Sequence, residues 1–141
     1  MPSIMDILGG EEKLGTSLEN RLDFIKLCSR GIRKESLSDL ERYLYFTKAQ
    51  IAHLLDISQR TLQRYSDNDY LSSSISEKVL NVAEVIARGV EVFGDKKNFL
   101  AWMSQPNTAF ANLSPFDLLT SRFGAEMILD ALGRIEHGVY G

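Results

Sequence analysis

The sequence predicts an all-α protein: a helix-turn-helix unit, a long connecting helix, a smaller helical unit and a short extended tail. Three observations carry this reading. Apolar residues recur at steps of three and four, as in Ile75, Val79, Val82, Ile86, Val90 and Phe93, the period that lines one face of a helix. Residues that cap helices stand repeatedly just ahead of such runs. Alternation at period two, the mark of a half-buried strand, is almost absent.

The elements follow in chain order. Residues 1–16, with Gly9-Gly10, read as a loose, flexible arm. Thr16 and Glu19 have capping-box spacing, which predicts a first helix through Leu18, Leu22 and Ile25 that stops at Gly31. Leu37, Leu40 and Leu44 mark a second. The stretch "FTKAQIAHLLDISQRTLQRY" is the most informative. Thr47 and Gln50 form a capping box, with Phe46 and Ile51 spaced for a hydrophobic staple; Asp56-Ile57 interrupts, and Ser58 is a good N-cap, with Ile57 and Leu62 spaced for a second staple. Two short helices starting at Lys48 and Gln59, joined by a tight turn, have helix-turn-helix geometry. Ser74-Ile75-Ser76-Glu77 predicts the start of the long helix, and Gly94 its end. Asp95 caps a short helix carrying Phe99, Trp102 and Met103. Ser114-Pro115 places proline at the first helical position, where its missing N–H costs nothing. A last helix runs through Ala125, Ile128, Leu132 and Ile135, with Gly138 at its stop. The expected division is 1–16 arm, 17–70 helix-turn-helix domain and 71–141 second domain, of which 71–93 is the connecting helix.

The chain has 141 residues, 44% hydrophobic and 25% charged, the balance of a globular domain rather than a disordered one. It has no apolar run near the ~20 residues that span a bilayer and no signal-peptide pattern, so a cytoplasmic protein without a membrane partner is expected. One cysteine, Cys28, and two histidines, His53 and His137, argue against a disulfide or a metal site. Glu136 and His137 are adjacent, so on a helix they diverge by about 100° and make a poor acid–base pair. With no phosphate loop and no nucleophile elbow, neither an enzyme nor a cofactor is expected.

Net charge is −3, but it is unevenly spread. Residues 42–64 hold Arg42, Lys48, Arg60 and Arg64 against Asp56 alone, while the segments on either side are acidic. A local basic face in an acidic chain points to an anionic partner. If Leu62 and Tyr65 turn inward, then Gln59, Arg60, Gln63 and Arg64 point out, with Thr61 at the margin. Arginine pairs with guanine, glutamine with adenine, and a threonine methyl contacts thymine. Gln59, Arg60 and Gln63 lie on the first turn, the part of a recognition helix that enters the groove, whereas Lys48 and Arg42 suit phosphates. The DNA-binding set is therefore Lys48, Ser58, Gln59, Arg60, Thr61, Gln63 and Arg64. Four cations are few for monomeric binding, so a homodimer on a two-fold operator is expected.

Residues 88–141 carry a further pattern: Phe93-Gly94-Asp95, Ala101-Trp102-Met103, Pro106-Asn107, Pro115, Leu118-Leu119-Thr120, Gly124, Leu132, Arg134-Ile135-Glu136 and Gly138-Val139-Tyr140. In this order it resembles the toxin-binding domain of the Xre/MbcA/ParS antitoxins, and the upstream helix pair, with Arg60-Thr61-Leu62 and Arg64, resembles the Xre-like helix-turn-helix. Two positions depart from the family pattern: Phe110-Ala111-Asn112-Leu113 before the proline, and Asp56 where the family often has glycine. Aspartate tolerates a left-handed backbone better than most residues, so the turn is expected to survive. The resemblance implies an antitoxin that blocks the active site of a cognate RES-domain, NAD-depleting toxin with its C-terminal region and represses its own promoter. It implies toxin contacts at Trp102, Pro106, Asn107, Phe110, Leu119, Arg134, Glu136, His137, Gly138, Val139, Tyr140 and Gly141. Val139 and Tyr140, flanked by glycines that permit close approach, are expected to enter the toxin's NAD pocket, with the Gly141 carboxylate imitating a phosphate of NAD. The competing reading is a stand-alone helix-turn-helix transcription regulator whose second half is a dimerisation domain.

Overall fold

The structure is a computed structural model, and residues 3–138 are described. Ten α-helices and one 3-10 turn account for the regular structure among them, with two isolated bridges and no strand. In order they are α1 (Ile4–Ile7), α2 (Glu11–Leu14), α3 (Arg21–Arg30), α4 (Lys34–Leu44), α5 (Lys48–Leu54), α6 (Gln59–Gln63), α7 (Ser73–Phe93), α8 (Lys96–Ser104), the 3-10 turn Thr108–Phe110, α9 (Pro115–Leu118) and α10 (Arg122–Glu136).

The 21-residue α7 is the axis, about 31 Å long at 1.5 Å per residue. Its stripe Ile75, Val79, Val82, Ile86 and Val90 is buried as the periodicity predicts, and Leu80, Ala83 and Val85 are buried as well. A helix buried on more than one side has neighbours on more than one side. α3 lies antiparallel to it: Arg21 at the start of α3 reaches Glu84, while Ile32, just past its end, donates its N–H to Ser76 Oγ at 2.9 Å. α10 lies parallel to it, with Arg122 reaching Glu77 and Glu136 reaching Arg88. One continuous core runs from Ile7 and Leu8 through Leu40, Ile51 and Ile86 to Phe99 and Leu132.

Two glycines permit close helix approach. A Cβ on Gly89 would meet the Phe99 ring at 2.0 Å, and one on Gly124 would meet the Leu118 carbonyl oxygen at 1.8 Å. α8 thereby seats its phenylalanine directly on the α7 backbone, and α10 starts directly on the end of α9.

Three sequence expectations change. The segment read as a loose arm instead forms α1 and α2 and buries Ile7, Leu8 and Leu14 in the core, with Ser3 and Asp6 closing a capping box. The first long helix begins at Arg21 rather than near Leu18, because Asn20 and Asp23 form the capping box that Thr16 and Glu19 were expected to make. With that shift Leu22 and Ile25 point outward, 56% and 62% exposed, and Leu27 is the buried residue of α3. α7 is capped by Ser72 rather than Ser74. Ser76 is wholly buried instead, accepting from Ile32 N–H and donating to the Leu71 carbonyl. Ser36 is equally buried, but its Oγ has no hydrogen-bond partner.

Candidate functional site

The helix pair forms as its caps dictate. Thr47 accepts from Gln50 N–H while the Gln50 side chain accepts from Thr47 N–H, starting α5 at Lys48. Asp56 takes φ +54, the left-handed turn expected of it. Ser58 Oγ accepts from Thr61 N–H at 3.1 Å and starts α6 at Gln59. Ile51, Leu54, Leu55 and Leu62 are buried behind the pair. Gln59, Arg60, Gln63 and Arg64 are exposed together, and neither arginine has an acidic partner among the described residues. Two free cations and two amides within six consecutive residues, under two helical turns, can meet phosphates and base edges.

The supporting residues divide. Ser58 and Thr61 bond each other through their hydroxyls at 2.8 Å, so their polar atoms hold the helix start. Lys48 stands 4.0 Å from Glu41 and remains exposed. Arg42 is tied to Asp39, which also receives both hydrogen bonds of Lys13 at 3.1 Å, while most of its side chain stays exposed.

In the second half Trp102 is at the centre of an aromatic cluster. Trp102 is half-buried, with its ring centroid 5.6 Å from Phe93, 6.2 Å from Phe99 and 6.2 Å from Phe110. Phe110 is 5% exposed and Leu119 2%, so both are buried in the core rather than presented at the surface for the toxin contacts expected of them. Pro106 is exposed beside Asn107, whose side chain caps the 3-10 turn by accepting from Ala109 N–H at 2.9 Å. Asn107 also donates its own N–H to Leu113, closing the loop 107–113. Ala111 and Asn112 both take left-handed φ there, at +56° and +66°.

At the end of α10, Arg134, Glu136, His137 and Gly138 are exposed. Glu136 is fixed by a fork of two charge-assisted bonds from the Arg88 guanidinium, 2.9 Å and 2.6 Å long. The fork holds the Glu136 carboxyl below its ordinary pKa and raises that of Arg88. Gly138 follows in a left-handed turn, φ +72, as its reading as a helix stop requires. Val139, Tyr140 and Gly141 lie outside the described residues.

Sequence reasoning missed Arg88, because its partner is 48 residues away and no local pattern joins them. It missed Phe123 and Met127, exposed apolar residues on α10, although both stand out of phase with the Ala125, Ile128 and Leu132 stripe and could have been found on that ground. The joints between the halves also needed the structure: Phe46 packs on Phe116 at 4.9 Å, His53 Nε2 stands 3.4 Å from Asp117, and Lys96 Nζ lies over the rings of Tyr43 and Tyr45 at 3.9 Å and 4.5 Å. A groove of about 740 Å³ between α3, α7 and the start of α10 is lined by Phe24, Ile25, Cys28, Glu77 and Arg122 among others. Burial, aided by Glu77, pushes the Cys28 thiol up, away from the reactive thiolate. No described helix is long and apolar enough to cross a membrane, and no group of metal-ligating side chains is assembled among the described residues.

This arrangement, two exposed surfaces on either side of one shared helix, has counterparts. Residues 88–138 match the C-terminal toxin-binding domain of the Xre/MbcA/ParS antitoxins, and residues 23–84 match the antitoxin Xre-like helix-turn-helix domain. The antitoxin Xre of Yersinia enterocolitica is 31% identical over 121 residues, covering 84% of this chain and 80% of that one. The Prs ADP-ribosylating antitoxin of a Sphingobium species is 27% identical over 132 residues, covering 84% and 81%. In three dimensions the chain is similar to a chain of the Mycobacterium tuberculosis MbcT-MbcA toxin-antitoxin complex, with a TM-score of 0.52 at 18% identity over 77% of this chain and 96% of that one, a likeness of fold. The chain belongs to the Xre family of antitoxins, with a helix-turn-helix domain and a toxin-binding domain built on the one axial helix.

Proposed function

We propose that this antitoxin neutralises a cognate RES-domain, NAD-depleting toxin by occluding the toxin's active site with its C-terminal region, and that it represses its own promoter as a homodimer through α5 and α6. It acts by binding rather than by catalysis. The observation that carries the first part is the Arg88–Glu136 fork, which ties the last turn of α10 to the axial helix and so gives the segment leaving at Gly138 a fixed point of departure. A plug that starts from a fixed point loses less freedom on entering a pocket than one that starts from a frayed helix. Arg134, His137, Val139, Tyr140 and Gly141 are the residues proposed to meet the toxin directly, with Pro106 and Asn107 at the margin; Trp102, Phe110 and Leu119 support them from the interior. The operator is read by Gln59, Arg60, Gln63 and Arg64, with Lys48 on a phosphate and Ser58 and Thr61 holding the helix start.

The test is deletion of residues 138–141, with cellular NAD measured alongside co-expressed toxin from the neighbouring reading frame. NAD is expected to fall to the level seen without antitoxin; full protection by the truncated chain refutes the plug. Separately, an Arg60→Ala, Arg64→Ala double variant is expected to lose operator binding and keep neutralisation. Undiminished operator binding removes the assignment of α6.

A further inference from the structure

α10 has two exposed flanks, and they are unlike. Its buried line is Gly124, Ala125, Ile128, Ala131 and Leu132. On one side of that line Arg122 and Glu136 reach across to Glu77 and Arg88, so ion pairs with α7 occupy that flank. At about 100° per residue, Phe123, Met127 and Arg134 fall together on the other side. Phe123 is 81% exposed and Met127 44%, and Arg134 has no acidic partner among the described residues. From Phe123 to Arg134 the strip runs about 16 Å along the helix. A phenylalanine this exposed, with a methionine one turn on, is an apolar patch without an internal use.

We infer that this flank of α10 is a docking face for the toxin itself, seating Phe123 and Met127 in an apolar depression on the toxin before the C-terminal segment enters the pocket. The inference rests on the reading that the toxin is met by the C-terminal region. Three things select the toxin as the occupant rather than a second antitoxin. The whole strip lies inside residues 88–138, the portion matched to the family's toxin-binding domain. The strip runs without interruption to the end of α10 and Gly138, so it is continuous with the C-terminal region to which the proposed function assigns the toxin. Of the two flanks, one carries charges already paired with α7 and the other offers an aromatic ring, a flexible thioether and a free cation, the side chains over-represented at the energetic centre of interfaces.

The experiment uses the full chain and the toxin encoded beside it, inactivated at its catalytic site so that both can be purified. Affinity is measured by calorimetry, oligomeric state by sedimentation, and operator binding by gel shift. Phe123→Ala with Met127→Ala is the variant; alanine is a better helix former than either, so α10 is retained. Toxin affinity is expected to fall at least tenfold, with operator binding and self-association unchanged. Unchanged toxin affinity overturns the inference, and if the same variant dissociates an antitoxin dimer, the face belongs to the second copy instead. A second variant, Phe123→Arg, guards against a depression that tolerates the small residue, and must weaken toxin binding further. Deletion of 138–141 is run beside both: it is expected to abolish protection of cellular NAD against the active toxin while leaving measurable affinity for the inactivated one. Loss of the docking effect and loss of the plug effect are thus read from different variants.

Discussion

The contact between Gly124 and α9 makes a sharp prediction about stability. An added methyl would stand 1.8 Å from the Leu118 carbonyl oxygen, 2.5 Å from its carbon and 3.0 Å from the Leu118 Cα, all backbone atoms that no rotamer change can move aside. Relieving the clash to an ordinary contact of at least 3.4 Å moves α10 away from α9 by more than an ångström and opens the packing around the buried Leu119. Overpacking of this kind costs about 1–3 kcal/mol, and a backbone obstacle puts it at the upper end. Alanine regains about 0.5 kcal/mol of helix propensity at this early position, leaving a net loss of about 2.5 kcal/mol. For a chain of this size that lowers Tm by about 8 °C. The same substitution nine residues on has the opposite sign. Gly133 has nothing within 4 Å of the added methyl and lies inside α10, so Gly133→Ala gains about 0.5–1 kcal/mol. The assay is thermal and urea melting followed by circular dichroism at 222 nm on both variants. If Gly124→Ala melts with the parent, the close approach of α9 and α10 is not real; if both glycines respond alike, the contact does not discriminate and the reasoning fails.

Glu136→Gln tests the fork at the other end of α10. The carboxyl pKa is lowered in the folded state, so its stabilisation is complete above the ordinary carboxylate pKa and is lost as pH falls through the lowered value. The parent is therefore expected to melt above the variant at neutral pH and to converge with it in acid, and a gap that stays constant contradicts the assignment. Ser36→Ala removes a buried hydroxyl that has no partner and is expected to stabilise the fold by about 1 kcal/mol in urea titration. Ala111→Gly relieves a left-handed backbone at an exposed position and is expected to raise stability by about 1 kcal/mol, a gain absent if loop 107–113 is held some other way.

What was legible in the sequence was what neighbours within about four residues decide. The capping pairs Thr47–Gln50 and Ser58–Thr61 start α5 and α6 where they were expected, and glycines 31, 94 and 138 stand at the helix stops. Where two local signals compete, reading fails. Asn20–Asp23 and Thr16–Glu19 have the same capping chemistry four residues apart, and choosing the wrong one turned Leu22 and Ile25 from exposed to buried. The N-terminal arm was misread for a different reason. Its helices are four residues each, too short to show a period, and they hold only because Ile7, Leu8 and Leu14 dock on the core. In the candidate site the outward residues of α6 followed from one helical period. Phe110 and Leu119 did not, since their depth depends on Trp102 and on the close seat of Gly124, residues that meet only in three dimensions.

Because α7 supplies a buried wall to α3 on one side and to α10 on the other, the helix-turn-helix domain and the toxin-binding domain of this antitoxin share a single lifetime. A protease that severs α7 leaves neither a helix-turn-helix fragment nor a toxin-binding fragment with a closed core. One cut therefore removes both domains together, and on the proposed function it would release promoter and toxin in the same event.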